Sequence, residues 1–322
     1  MENKMYDVVA LGELLIDFTG SGLSDQQNPI FEANPGGAPC NVLAMLQKLG
    51  KKTAFIGKVG DDMFGELLIK AVKEQGICTN YLTKDSTVPT TLAFVHTKED
   101  GDRSFSFYRN PGADMMLREN DLDDELFKST RIFHFGTLSM TEPNIKAVTK
   151  CAIELAKAND VCISFDPNYR PLLWSDAEEA KDAIWYGIGQ CDILKISDDE
   201  IEFLTGEKDI DKGVEIIKKS SGAKVICATL GKEGSVVFYD DLRVFCEPFI
   251  QNNTVETTGA GDTFMGCMLS GLLDCGIDSL TQEQLHNMLV TANAAAAAIT
   301  TKKGALRVMP TIEEIELIIK KE

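Results

Sequence analysis

Short apolar runs alternate with amphipathic stretches along most of the chain. "YDVVAL" (6–11) is apolar and stops at Gly12, as a buried strand does. "CNVLAMLQKLG" (40–50) puts Val42, Leu43, Met45, Leu46 and Leu49 on one helical stripe, with Gly50 as its stop. The strand-like "KTAFIGKVG" is followed by the helix-like "DMFGELLIKAVKEQG", and "RIFHF" by "NIKAVTKCAIELAKAN". "VCISF", "DILKI" and "KVICATL" continue the rhythm, with "DAEEAKDAIWYGIGQ" and "DDEIEFLTG" between them. Two longer helical stretches begin near Thr263 and Gln282. Strands alternating with helices predict an α/β chain, with a parallel sheet covered on both faces.

Two segments break this rhythm. Residues 90–110, "TTLAFVHTKEDGDRSFSFYRN", hold two strand-like runs around Asp100-Gly101, a hairpin signal. The second run alternates Ser104, Phe105, Ser106 and Phe107. Residues 14–37 are also not helical in pattern. Such insertions read either as an edge decoration or as a flap over the carboxyl ends of the strands, where α/β sheets bind ligands. We expect one domain over 1–322, with a lid formed by about 13–36 and 90–111.

Composition narrows the function. The chain has 322 residues, 44% hydrophobic and 25% charged, enough for one large core. Its formal net charge of -18 argues against nucleic acid and anionic membranes as partners. It leaves room for an anionic substrate, because a few local cations can dominate one pocket. The nine cysteines include no C-x-x-C pair and several sit in apolar runs, so they read as buried reduced thiols. The three histidines are too scattered for a metal cluster. The start has no signal-peptide core, and no apolar run approaches 18 residues. A cytoplasmic protein is expected.

No G-x-x-x-x-G-K-[ST] loop occurs, and no G-x-G-x-x-G follows the first strand. A nicotinamide-dependent oxidoreductase therefore lacks its fingerprint. "TTGAGD" (257–262) does precede a helical stretch. Glycines turn backbone N–H groups inward, and a helix N-terminus adds more of them and a partial positive charge. Together they form an anion hole. Asp262 at its lip is either the helix cap or a base that takes a proton from an attacking hydroxyl. "NPGGAPCN" adds Gly36-Gly37 and then Asn41, which either caps a helix or donates to a sugar hydroxyl.

Taken together, "GGAPCNVLAMLQKLG…FIGKVGDDMFG" and "TTGAGDTFMG" resemble the two signatures of the ribokinase-like (PfkB) carbohydrate kinase family, in the right order and about 220 residues apart. The resemblance implies a three-layer α/β sandwich, with a mostly parallel central sheet and a small β-sheet lid. It implies Asp262 as catalytic base, with Gly259, Ala260 and Gly261 as anion hole. Asp17 would bind sugar hydroxyls from the lid, with Gly36, Gly37 and Asn41 beside it. "KISDDE" (195–200) resembles an element in which Glu200 organises Mg²⁺ through water and Lys195 lies near ATP; Ser197 replaces the usual Asn. Thr229, Gly231 and Gly234 match a nucleotide-binding turn, and Asn293 a position near adenine. Glu256 stands where the family has an Asp that helps hold a monovalent cation. With Thr258 and Gly304 it would form a K⁺ site of weak or moderate effect.

"FYRNPGADMML" and "SFDPNYRPLLW" resemble the fructokinase branch, which implies D-fructose as acceptor and places Arg109 and Arg170 near sugar or phosphate. Asp114 reads as a turn or cap residue. 2-Keto-3-deoxygluconate kinase and ribokinase are alternatives, and a non-catalytic sugar sensor is an alternative of another class. The lid, through an apolar face such as Phe105 and Phe107, implies a homodimer.

Overall fold

The structure, a computed structural model, describes residues 4–97 and 103–321. Its strands are β1 (Tyr6–Leu11), β2 (Leu15–Leu23), β3 (Pro29–Gly36), β4 (Thr53–Gly60), β5 (Leu82–Asp85), β6 (Leu92–Thr97), β7 (Arg103–Tyr108), β8 (Thr130–Gly136), β9 (Cys162–Asp166), β10 (Ile193–Ser197), β11 (Val225–Thr229), β12 (Ser235–Tyr239) and β13 (Leu242–Cys246). The helices are α1 (Ala38–Lys48), α2 (Met63–Glu74), α3 (Asp124–Lys128), α4 (Pro143–Ala158), α5 (Ala177–Ile188), α6 (Asp198–Thr205), α7 (Ile210–Ser220), α8 (Ala260–Cys275), α9 (Gln282–Ile299) and α10 (Ile312–Ile319).

The large sheet runs β13-β12-β11-β10-β9-β8-β1-β4-β5. From β11 to β5 all pairings are parallel, and β12 and β13 close one edge antiparallel. Side chains alternate faces along a strand, so β1 sends Val8 and Ala10 into one core and Val9 and Leu11 into the other. The first core lies under α1, α2, α8, α9 and α10; the second lies under α3 to α7. Strands buried on both faces explain the unbroken apolar runs of the sequence. The chain reverses direction across the sheet between β1 and β8, which opens a crevice at their carboxyl ends.

The interrupting segments form a separate four-stranded sheet, β3-β2-β6-β7. β2 pairs antiparallel with β3 and parallel with β6, and β6 and β7 form the expected hairpin. The turn at Asp100-Gly101 and the side chain of Phe105 lie outside the described residues. One face turns Leu15, Asp17, Thr19, Asn34, Val95 and Phe107 toward the crevice. The opposite face carries Phe18 stacked on Phe94 at 4.8 Å, with Phe31 and Tyr108 edge-on to Phe94. Phe107 therefore lines the cleft: the strand period puts it on the face opposite Tyr108.

Candidate active site

A cavity of about 410 Å³ lies between the lid and the strand ends. Gly259 precedes α8 with φ of 80°, a left-handed conformation that glycine adopts freely. A Cβ there would meet that of Ala305 at 2.9 Å. The helix starts at Ala260, three residues earlier than the apolar spacing predicts, so Asp262 sits in its first turn and not outside it. Asp262 is buried, and its Oδ2 accepts a 2.8 Å hydrogen bond from Nδ2 of Asn41. Burial pushes its carboxyl up to about 6; Asn41 pulls it down, Asp166 pushes it up, and Lys195 and Arg170 pull it down.

Lys195, from β10, is buried against Asp166, from β9, at 2.9 Å. Burial alone would lower the ammonium, but Asp166, Glu200 and Asp262 hold it above the ordinary lysine range. A Cβ on Gly261 would approach its Nζ to 3.2 Å, so the glycine leaves this cation beside the first turn of α8.

Asp17 enters from the lid. Burial pushes its carboxyl up to about 7, helped by Glu256 and Asp262 and opposed by Arg170. Gly36 is required there: a Cβ would come within 2.3 Å of Asp17 Oδ2. Gly37, with φ of 135°, leads into α1 and would strike the carbonyl of Glu13. The Oδ1 atom of Asn41 is buried with no partner among the described residues, an acceptor still in need of a donor. Arg170 is exposed at the rim and lines the cavity, with a bond from its guanidinium only to the carbonyl of Tyr169 among the described residues.

Arg109 is not part of the cavity. Its Nε and Nη2 hold Asp114 at 2.8 and 2.7 Å, Nη1 donates to Thr141, and Nη2 donates to the carbonyl of Leu138. Thr91 bonds the other oxygen of Asp114. The pair is a buried anchor at the end of the lid, so neither a sugar contact for Arg109 nor a simple cap for Asp114 holds.

At the other end, Thr229 closes β11, and Gly231 (φ 55°) and Gly234 (φ 97°) shape the turn after it. Gly231 faces open space, whereas a Cβ on Gly234 would strike the carbonyl of Cys246. Asn293 donates to the carbonyls of Cys246 and Glu247 and accepts from Ser235, so both its donors brace the wall of this end. Glu200 accepts from the amides of Tyr169 and Ser197, each at 2.8 Å. Ser197, in place of Asn, completes the capping box of α6. Glu256 is buried; its carboxylate accepts from Thr258 Oγ1 at 2.7 Å and from the Gly304 amide at 3.0 Å, joining the loop before α8 to the turn after α9.

The profile of the pfkB family carbohydrate kinases matches residues 5–312. The chain belongs to that family. As a pfkB carbohydrate kinase it is a phosphotransferase with a sugar hydroxyl as acceptor. Fructokinase-2 of Solanum lycopersicum is 39% identical over 315 residues, covering 97% of this chain and 96% of the relative. A fructokinase with bound ATP from Xylella fastidiosa superposes with a TM-score of 0.88 at 31% identity, covering 98% of both chains. A fructokinase from Vibrio cholerae O395, in fructose, ADP and calcium ion bound form, gives 0.88 at 29%, covering 98% of this chain and 99% of the other. The ribokinase-like architecture is thus shown along the whole kinase.

Three site residues escaped the sequence reading. Glu13 lies just past β1 and Asp166 ends β9 as unremarkable carboxylates, and His134 sits inside β8. Only the parallel register brings them together: His134 pairs with Ser164, and its Nδ1 lies 2.9 Å from that hydroxyl.

Proposed function

We propose that the chain transfers the γ-phosphoryl group of ATP to D-fructose, giving fructose 6-phosphate. The observation that carries this reading is the buried Asp262 in the first turn of α8, held by Asn41 and facing a lid carboxylate across one cavity. Asp17 and the unpartnered Oδ1 of Asn41 orient the sugar hydroxyls. Asp262 takes the proton of the attacking hydroxyl. The N–H groups of Gly259, Ala260 and Gly261, with Lys195 beside them, stabilise the charge on the transferring group. Arg170 steers the phosphates at the rim. The lid excludes water and so limits ATP hydrolysis. The Thr229–Gly234 turn binds the nucleotide, with Asn293 supporting its wall.

Among the described residues no three His, Cys, Asp or Glu side chains converge as a metal site. A Mg²⁺ here would be held chiefly by phosphate oxygens and water, and Glu200, whose carboxylate keeps lone pairs beyond its two amide bonds, would be the residue to organise that water. The ion supplies charge neutralisation on the phosphates. Glu256 already ties Thr258 to Gly304, a link that a bound K⁺ would otherwise reinforce, so K⁺ activation is weak or moderate. Equal rates in K⁺ and in tetramethylammonium would remove that site from the reading.

An ADP-release assay across fructose, ribose, ketodeoxygluconate, tagatose, glucose and nucleosides tests the substrate. Fructose is expected to give the highest kcat/KM. A faster rate with ribose or ketodeoxygluconate reassigns the acceptor, and sugar binding without turnover makes the chain a sensor. Asp262→Asn is expected to lower kcat by about 10²–10⁴-fold with the fold intact. Near-normal turnover in that variant sinks the base assignment.

A further inference from the structure

Beneath the base lies a second chamber of about 10 Å³, the room of roughly one water molecule. Glu13, His134, Asp166, Asn168 and Asp262 contribute to its walls. Glu13 and Asp262 line this chamber and the main cavity alike. A space of that size has room for one water among the residues that wall it.

Glu13 follows β1, where the chain leaves the core for the lid, and is only 4% exposed. Its Oε1 accepts from the amide of Ala38 at 2.7 Å. Any neutral acceptor could serve that amide, and a buried charge is costly, so helix capping does not account for a carboxylate here. Burial pushes this carboxyl up to about 7; its own amide, that of Ala38 and Arg109 pull it down, and Asp114 pushes it up.

We propose that Glu13 is a relay residue that takes the proton from Asp262 through a single water in this chamber. The inference rests on Asp262 being the base. The O–H bond of the sugar breaks and its proton goes to Asp262; the sugar oxygen bonds to the γ-phosphorus as the bond from that phosphorus to the bridging oxygen breaks, its electron pair leaving with ADP. With both substrates in the main cavity, Asp262 is shut off from bulk solvent. It protonates the chamber water as that water gives one of its own protons to Glu13. The water is restored, Asp262 is ionised again, and Glu13 is neutral. Asp262 is thus ionised before the products leave, and Glu13 then loses its proton to solvent through the main cavity, which it also lines.

The other groups around Glu13 do not compete. Burial pushes His134 down to about 3, with Lys195 adding to the effect, so the imidazole stays neutral. Asp166 is paired with Lys195, and Arg109 is locked on Asp114. Burial pushes Cys40 well up, so it stays a thiol.

Glu13→Gln keeps the acceptor for Ala38 but cannot receive a proton. A relay acts only after the first phosphoryl transfer. Rapid-quench kinetics of E13Q should therefore show one product per site formed at the wild-type rate, then steady turnover slowed about tenfold or more, with sugar KM within about twofold. Glu13→Asp, which still titrates, should recover part of the steady rate. A first turnover slowed as much as the steady state, or an unchanged kcat, overturns the relay. Turnover by Asp262→Asn would remove the base and the relay together; an inactive D262N beside a fully active E13Q removes the relay alone.

Discussion

Asn41 ties the first third of the chain to the base, and the tie has an electrostatic consequence. Its Nδ2 favours the ionised form of Asp262 against the burial that raises it to about 6. A base must be ionised to act, so kcat/KM should climb as pH rises through about 6. Asn41→Ala removes a donor to the anion, so that limb should move to higher pH. A pH–rate profile measures both, and an unmoved limb in N41A would show that the hydrogen bond does not set the ionisation. The residues legible in the sequence are those whose chemistry is local. "GAGD" and "GG" carry their backbone requirement with them, as the clashes at Gly36, Gly37 and Gly259 show. Arg109 and Glu13 are defined by groups distant in sequence. Nothing near Arg109 announces that Thr141 and Leu138 will consume its donors, and nothing near Glu13 announces its burial.

At the scale of elements, the apolar rhythm found most strands of the sheet because each is buried on both faces. It did not resolve β12, although that strand is buried throughout, or β13, whose mixed pattern includes an exposed Phe245. Nor did it resolve the short β5 and α3 or the amphipathic α7 and α10. The lid strands were legible as a departure from rhythm, but their anchor was not. Arg109 and Asp114 hold the end of β7 to the core segment at 138–141. Removing one member of a buried pair strands the other, so Arg109→Met should lower unfolding free energy by about 3–5 kcal/mol. Replacing both, as in R109M/D114L, should recover much of that loss. Chemical denaturation measures the two, and a double variant as unstable as the single one would show that the cost is in packing and not in charge. Helix contact is equally demanding where α8 crosses α1: a Cβ on Gly266 would meet Met45 Cβ at 2.7 Å.

For the whole molecule, the exposed outer lid face is the feature that one chain leaves open. Phe31 and Tyr108 are 45% and 66% exposed on either side of Phe94. We propose that a second copy covers this face. Sedimentation should give a dimer at micromolar concentration, and Phe31→Ser with Tyr108→Ser should give a monomer. A monomeric wild type ends that reading. The joining of Asn41 to Asp262, 221 positions apart, also bears on how the protein is made. The stripe of α1 that packs on α8 has no cover until the last fifth of the chain is synthesised. At ~5–20 residues per second that interval lasts about 10–40 seconds. During it, the nascent chain offers Val42, Met45 and Leu46 to whatever waits at the ribosome exit, so a chaperone has its opening before the kinase has its base.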